Sequence, residues 1–446
     1  MEPQAAIDYA LSLAREHRER NLDVLLHRSE SLGIKVLKGT VEKVDQSTAQ
    51  GLGVRVVKDG RTGIAFTERL EPGAIETAFL AARENAELTD PSEVVMSEAL
   101  PEVPDPEALA LYNPALDALT VDDLATFGLE AEAAAFAADK RVKLVPYTMV
   151  QREQSSFTVA SVHGMRYGQR SNSVGAYCST MLEQGSQRKS GTHSWSARAW
   201  APQQAAALGR EAAQRGAALL GARAIPSAHL PVVLDEYVAP GLLGMYFGSF
   251  AAEAAQKGMS RLQGRLGEPI ADASITLTDD PHRVGAPGSR FLDVEGVATQ
   301  PLALIEGGVF RSFLYHIESA RKDGRASTGH AARGYSGGIS TRAHSLVLPT
   351  GSHELQALCA LPERCLLVTE LEGGAGCNPV SGDISIGVQG HLIEGGRRVQ
   401  PVDAVTIAGS FFDLLRNIRA LGARYQPNLT SRFIPALLVE GLTISG

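Results

Sequence analysis

Residues 21–66 carry three β-rich runs in succession, LDVLLHRS, LGIKVLKGTVEKVDQST and GLGVRVVKDGRTGIAFT, with Asp59-Gly60 between the last alternating segments as a two-residue hairpin signal. An antiparallel meander is the fold this pattern predicts. Before it, Ile7, Ala10, Leu11, Leu13 and Ala14 recur at helical spacing; after it, EPGAIETAFLAARENAE returns to that spacing, with Pro72 at a helix start. A helix, a meander and a second helix must bury their apolar faces against one another, which makes a two-layer α+β unit.

The chain has 446 residues, and single cores stop growing at about 250–300 residues, so more than one core is expected. Residues 91–120, rich in Pro, Glu and Asp, predict a surface connection, followed by a helix from Thr120 to Lys140. Alternating, hydroxyl-rich segments from residue 143 to 198 predict strands in a second sheet layer. An alanine-rich helix, Pro202 to Ala222, precedes Pro226, and a helix rarely passes a proline. That places a boundary between an amino-terminal sheet-and-helix α+β domain, residues 1–225, and a carboxyl-terminal strand-rich, barrel-like domain, residues 226–446. The latter contains an apolar helix, Ala239 to Gly258, and two hairpins in ALIEGGVFRSFLYH and GHLIEGGRRVQPV.

Charge and targeting signals narrow the partners. The formal net charge is −8, and no basic run is longer than pairs such as Arg397-Arg398, which argues against nucleic acid and anionic membrane surfaces. No apolar run reaches the ~18 residues of a membrane span, and the amino end lacks the apolar core of a signal peptide. Four cysteines, Cys178, Cys359, Cys365 and Cys377, supply no disulfide framework in so long a chain. The expected compartment is the cytoplasm.

Few residues offer chemistry. On the helix from Ala239, Leu243, Tyr246, Phe247, Phe250 and Ala254 form one apolar stripe, while Gly244 and Gly248 allow another backbone to approach. The stripe predicts a core helix. His330, in the glycine-flanked loop ASTGHAARGYSGG with Gly329 and Tyr335, is the candidate for binding a ligand; the alternative is a loop histidine bonded to a neighbour. Asp279, Asp280 and His282 in TDDPH offer metal-binding groups within one turn, although Asp-Pro commonly initiates turns. Cys377 has no base or cation beside it in sequence to activate a thiol. No phosphate-binding P-loop occurs.

The phrases LPVVLDEYVAPGLLG, TDDPHRVGAPGSRFLDVEGVATQPLALIEGGVFRSFLYH, STGHA, GCNPVSGDISIGVQGHLIEGGRRVQPV and VTIAGSFFDLLRNIRALG resemble, in order and spacing, the carboxyl half of the TldD/TldE (PmbA) metallopeptidase family. ESLGIKVLKGTVEKVDQS and GLGVRVVKDGRTGIAFT extend the resemblance to the amino half. The resemblance implies a heterodimer in which the TldD-type chain holds zinc through His-Glu-x-x-x-His and a late cysteine, with the glutamate as general base. Here the first histidine falls at Gly244, the glutamate at Met245 and the second histidine at Ser249, and the last residues contain no cysteine. The chain therefore resembles TldE: no catalytic residue and no metal of its own, zinc in a TldD-like partner, and an extended peptide as substrate. A stand-alone or homodimeric binding protein, or a pair turned to non-proteolytic chemistry, is the alternative; an independent hydrolase using His330, Cys377 or Asp279 is a third class.

Overall fold

In the computed structural model, which describes residues 1–98 and 101–446, strand β1 (Leu22–Leu37) organises the amino-terminal half. It pairs antiparallel with β2 (Thr40–Lys58) on one side and with β4 (Val142–Ser161) on the other. With β3 (Arg61–Thr67), β5 (Arg166–Gln184) and β6 (Gln187–Ala197) they form one six-stranded sheet, order β3-β2-β1-β4-β5-β6. The meander is present, and Asp59-Gly60 turns it with both residues at positive φ, 53° and 74°. The strands after residue 141 do not form the second layer expected of them. A strand has two hydrogen-bonding edges; β2 takes one edge of β1, and β4 fills the other, so both sets of strands merge into one sheet.

One face of the sheet is covered by helices. Leu22, Val24 and Leu26 of β1 pack beneath α1 (Pro3–Glu16) and α2 (Pro72–Leu88), while Leu32, Ile34 and Val36, on the same side by the two-residue period, pack beneath α3 (Val121–Ala138) and α4 (Gln204–Ala218). Thr120 and Asp123 close a capping box at the start of α3. A Cβ on Gly209 of α4 would lie 1.9 Å from the Ala131 carbonyl oxygen of α3, so only glycine permits this helix spacing. The surface connection from residue 91 to 120 includes two 3-10 turns, and its residues 99 and 100 lie outside the described residues.

The carboxyl-terminal half of this α+β chain is built from more numerous but mostly short strands. After β7 (Val232–Leu234) come the short helices α5 (Ala239–Gly244) and α6 (Ala252–Gln256), then β8 (Leu277–Asp279), β9 (Leu302–Glu306) and β10 (Val309–Phe310). A curled seven-stranded sheet runs Ile418–Leu421, Leu437–Val439, β7, Arg364–Glu372, Asp383–Glu394, Arg397–Ser410, Thr443–Ser445. A five-stranded sheet runs β10, β9, β8, Leu346–Val347, Arg432–Phe433. One apolar core joins them, from Val232 and Leu234 through Tyr246 and Phe250 to Phe411 and Ile444.

The uncovered face of the six-stranded sheet meets this half. Leu25 and Val159 pack against Val294 and Ala331, and the Tyr335 ring lies on β2, where a Cβ on Gly51 would sit 2.3 Å from it. A buried charge network crosses the same junction: Arg55 Nε donates to Asp23 Oδ2 at 2.8 Å, Arg55 Nη1 to Glu295 Oε1 at 3.2 Å, and Arg333 also pairs with Asp23. The described residues contain no helix long and apolar enough to cross a membrane.

Candidate functional site: two joined cavities

Between Ala239 and Gly258 the single apolar helix expected from the sequence is three pieces. The first, α5, starts where the Asp235 carboxylate accepts from Tyr237 N and Val238 N at 2.9 and 2.8 Å. It stops at Gly244, gives way to a 3-10 turn at Phe247–Phe250, and resumes as α6. The break has a cause at Ala251, whose extended backbone bridges to Leu314: Leu314 N donates to Phe250 O at 2.8 Å and Ala252 N to Leu314 O at 3.0 Å. Tertiary pairing thus replaces helical bonds at the point where two nearby glycines make the helix weak. The apolar stripe is buried nonetheless, with Tyr246 stacked on Phe411 at 4.8 Å and its hydroxyl donating to Asp383 O at 2.7 Å.

None of the three positions corresponding to the zinc motif presents a ligand set. Gly244 has no side chain, and the Arg432 guanidinium fills the space above it: a Cβ at Gly244 would lie 2.5 Å from Arg432 Cζ. Met245 packs its thioether toward Gly374, and a thioether suits soft metals rather than a hydrolytic zinc. Ser249 is buried, donating its hydroxyl to Pro379 O at 3.1 Å. Zinc does not fit here. We expect Gly244→His, Met245→Glu and Ser249→His together to create neither a zinc site nor a peptidase, and to destabilise the chain by about 1–3 kcal/mol through overpacking. Metal analysis and a denaturation midpoint check this; one zinc per chain surviving chelator dialysis would contradict it.

The imidazoles converge elsewhere. Asp279, at the end of β8, receives His330 Nε2 at 2.8 Å, and its other oxygen accepts from His344 N at 2.9 Å and Ser345 N at 2.7 Å. His344 Nε2–H donates to Gly329 O at 2.9 Å, and His330 Nδ1 meets the Thr328 hydroxyl at 2.8 Å. Asp279, His330 and His344 thus bring potential ligand atoms within 4.8 Å of one another. Each is already committed: the 2.8 Å contact is a hydrogen bond, shorter than the separation of two ligands around an ion with metal bonds of about 2.0–2.1 Å. Burial works against the Asp279 charge, but the hydrogen bonds from the His330 ring and the His344 backbone outweigh it and hold the carboxyl below its ordinary range. Burial pushes His344 well down, so it stays neutral. Asp280 and His282 do not join: Asp280 accepts from His282 N in a turn, and His282 Nε2 lies 3.1 Å from Thr299 Oγ1.

His344 also lines a cavity of about 400 Å³ together with Gly244, Gly248, Arg290, Arg342 and Arg432. The pairing of Leu346 with Arg432 in the five-stranded sheet places His344 and Arg432 on neighbouring segments of its wall. From the loop Thr328 to Gly338, Ala332 reaches this wall; His330 lies behind it with no exposed surface, and Gly329 holds His344. Tyr335 is placed against the amino-terminal sheet, its hydroxyl donating to Glu68 at 2.7 Å. A second cavity, of about 700 Å³, opens on the uncovered sheet face, lined by Ser29, Ser31, Gln151, Gln154 and Asn172. Pro287 belongs to both walls, so the cavities adjoin. Cys377 is partly buried and its thiol faces the Ser385 carbonyl at 3.9 Å. Nothing in the sequence singles out Arg290, Arg342, Arg432 or His344, since the three arginines are far apart along the chain and His344, two residues from Arg342, belongs to no recognisable motif.

Comparison with known proteins agrees with this architecture. Residues 22–86 match PmbA/TldA metallopeptidase domain 1, residues 114–220 the central domain and residues 227–446 the C-terminal domain of that family. The metalloprotease PmbA of Escherichia coli O157:H7 is 29% identical, covering 94% of this chain and 91% of that protein. A Haemophilus influenzae PmbA homolog is 26% identical, covering 100% and 96%. A crystal structure from Thermotoga maritima, described as a candidate modulator of a DNA gyrase, superposes with a TM-score of 0.88 at 26% identity over 99% of this chain and 100% of that one. TldE from Thermococcus kodakarensis shares the fold, with a TM-score of 0.86 at 24% identity over 99% and 100%.

Proposed function

The chain belongs to the PmbA/TldD metallopeptidase family, and from that premise we propose that it is the zinc-free subunit of a two-chain peptidase, whose TldD-like partner carries the metal and the general base. The observation that carries this reading is the Arg432 guanidinium lying where a histidine on Gly244 would have to reach an ion. A cation in that position repels zinc, whereas it attracts an anionic part of a substrate. In this role the chain holds an extended peptide, whose backbone amides bond to the serine, glutamine and asparagine side chains of the larger cavity. His330 and Gly329 serve substrate binding by fixing His344 in the wall, and Tyr335 by clamping the two halves that form the cavities. The compartment is the cytoplasm, where four free thiols persist.

A Haemophilus influenzae TldD homolog, 24% identical over 89% of this chain, supports a partner of related fold. Because both cavities are walled by this chain itself, a stand-alone peptide-binding protein is the second reading. Purification from the native organism separates them. The expected result is a stable complex with a chain bearing His-Glu-x-x-x-His, with zinc confined to that chain and peptide cleavage lost on chelation. Recovery of this chain as a homodimer or monomer with no such companion would favour the second reading. About one tightly held zinc per copy of this chain would contradict both.

A further inference from the structure

We propose that the smaller cavity, beneath Gly244, is an anion site that receives a carboxylate of the peptide, an inference that rests on the peptide-holding role proposed above and specifies its ligand. Three arginines and one histidine line this cavity and no aspartate or glutamate does. Among the described residues, none of these three guanidinium groups forms an ion pair, whereas the buried Arg55 and Arg333 pair with Asp23. Guanidinium is charged at any working pH, so the cavity is a fixed concentration of positive charge without its counter-ion.

The least solvated member is Arg290. Its backbone is pinned, N donating to Pro281 O at 2.9 Å and O accepting from Thr299 Oγ1 at 2.6 Å. Its side chain lies over the Phe157 ring at 5.5 Å, and its buried Nε has no hydrogen-bond partner. The carboxylates nearest in charge are spent elsewhere. Asp279 accepts from His330, His344 and Ser345, and Asp293 accepts from Glu295 N, Val297 N and Ala331 N. Burial also pushes the Asp293 carboxyl up, which weakens it as a counter-charge. An orphaned donor on a buried cation is costly, and a bound oxyanion removes that cost.

The neighbouring cavity determines what carries the anion. Its walls are largely neutral hydrogen-bonding side chains, suited to a peptide backbone, and it meets the arginine cavity at Pro287. Leu429 lines the polar cavity and Ser431 and Arg432 the arginine cavity, on one continuous segment. A peptide lying along the polar cavity therefore delivers its carboxylate, from the chain terminus or from an acidic side chain, to Arg342 and Arg432 at the mouth and Arg290 behind them. Bidentate guanidinium–carboxylate bonds suit the planar geometry of both groups.

Fluorescence anisotropy with the full chain tests this, using an alanine-rich labelled peptide as free acid, as carboxyl-terminal amide, and as an amide with one internal glutamate. The free acid is expected to bind at least about tenfold more tightly than the plain amide, as for a hydrogen bond to a charged group. Arg342 and Arg432 are exposed, so Arg342→Gln and Arg432→Gln should keep the fold, checked by circular dichroism, and each should remove most of that preference. Tight binding of the glutamate amide would support the site with the side chain as a source; weak binding would support it with the terminus as source. Equal affinity for all three peptides, no binding of any peptide, or unchanged preference in both variants overturns the inference. The measurement uses no partner. A complex that assembles and cleaves peptides while all three peptides bind alike would remove the anion site and leave the proposed function standing; acid-selective binding by a chain without a partner would do the reverse.

Discussion

Replacing Arg55 by alanine is expected to lower stability by about 3–5 kcal/mol, the usual result of breaking a buried ion pair from one side. Arg55 is 1% exposed and lies between Asp23 and Glu295, themselves 1% and 3% exposed. Without it, Asp23 keeps Arg333, but the Glu295 oxygen bonded to Arg55 loses its partner, and the other oxygen still accepts from Ile317 N at 2.9 Å. Guanidinium denaturation of the full chain, followed by tryptophan fluorescence and circular dichroism, measures the change. Removing Arg55 and Glu295 together, with Arg55→Met and Glu295→Gln, is expected to recover part of the loss, because the orphaned carboxylate goes too while Asp23 keeps Arg333. A loss below about 1 kcal/mol for Arg55→Ala would mean that water reaches the junction and solvates the carboxylates. Since the network ties β1 and β2 to the carboxyl-terminal half, the same variant should loosen the cavities formed at that junction.

Asp279→Ala is the second large effect, again about 3–5 kcal/mol, because it strands the His330 Nε2–H, His344 N–H and Ser345 N–H donors in a buried place at about 1–3 kcal/mol each, with partial relaxation. Asp279→Asn keeps acceptor capacity and should cost less. The pH dependence has a definite sign. The folded-state pKa of Asp279 is depressed below 3.8, so its contribution is whole above that value and is lost as pH falls through the folded pKa. The gap between wild type and Asp279→Ala should therefore be full at neutral pH and narrow in acid. His344 acts in the same direction: its folded pKa is lowered from 6.5 by burial, so its neutral form favours folding above 6.5 and the advantage declines as pH falls. A gap that stays constant from neutral pH into acid would show that the carboxylate charge plays no part in the cluster.

The two effects bear on the cavities differently. Arg55 works at a distance, by holding two halves of the chain in register, and its loss should weaken every ligand of the cavities alike. Asp279 works one residue away from the wall, through His344. Its loss should be felt in the arginine cavity more than in the larger, serine-rich one.

Much of the local structure was legible in the residues. Asp59-Gly60 identified its hairpin because few dipeptides tolerate two positive φ angles, and the spacing of Ile7, Ala10, Leu11 and Ala14 identified a helix because one face had to be apolar. The α+β class followed from the alternation of these two periods, and the family from phrases spread over the whole chain. That Gly244, Met245 and Ser249 carry neither imidazole nor carboxylate was legible too, since side-chain chemistry does not depend on the fold.

What local pattern could not supply was pairing between distant segments. The merging of β1 with β4 into one sheet depended on which edge of β1 remained free, a property of no single stretch. The helix from Ala239 broke at Ala251 because Leu314, far along the chain, offered its backbone a competing partner. His330 looked like a residue in an open glycine loop and proved fully buried against Asp279, since burial is decided by what packs over a segment rather than by its own composition. The arginine cavity is the extreme case. Arg290, Arg342 and Arg432 carry no signal singly, and only folding brings their like charges together around one space, because the free energy of the packed sheets exceeds the repulsion that keeps such groups apart in an unfolded chain.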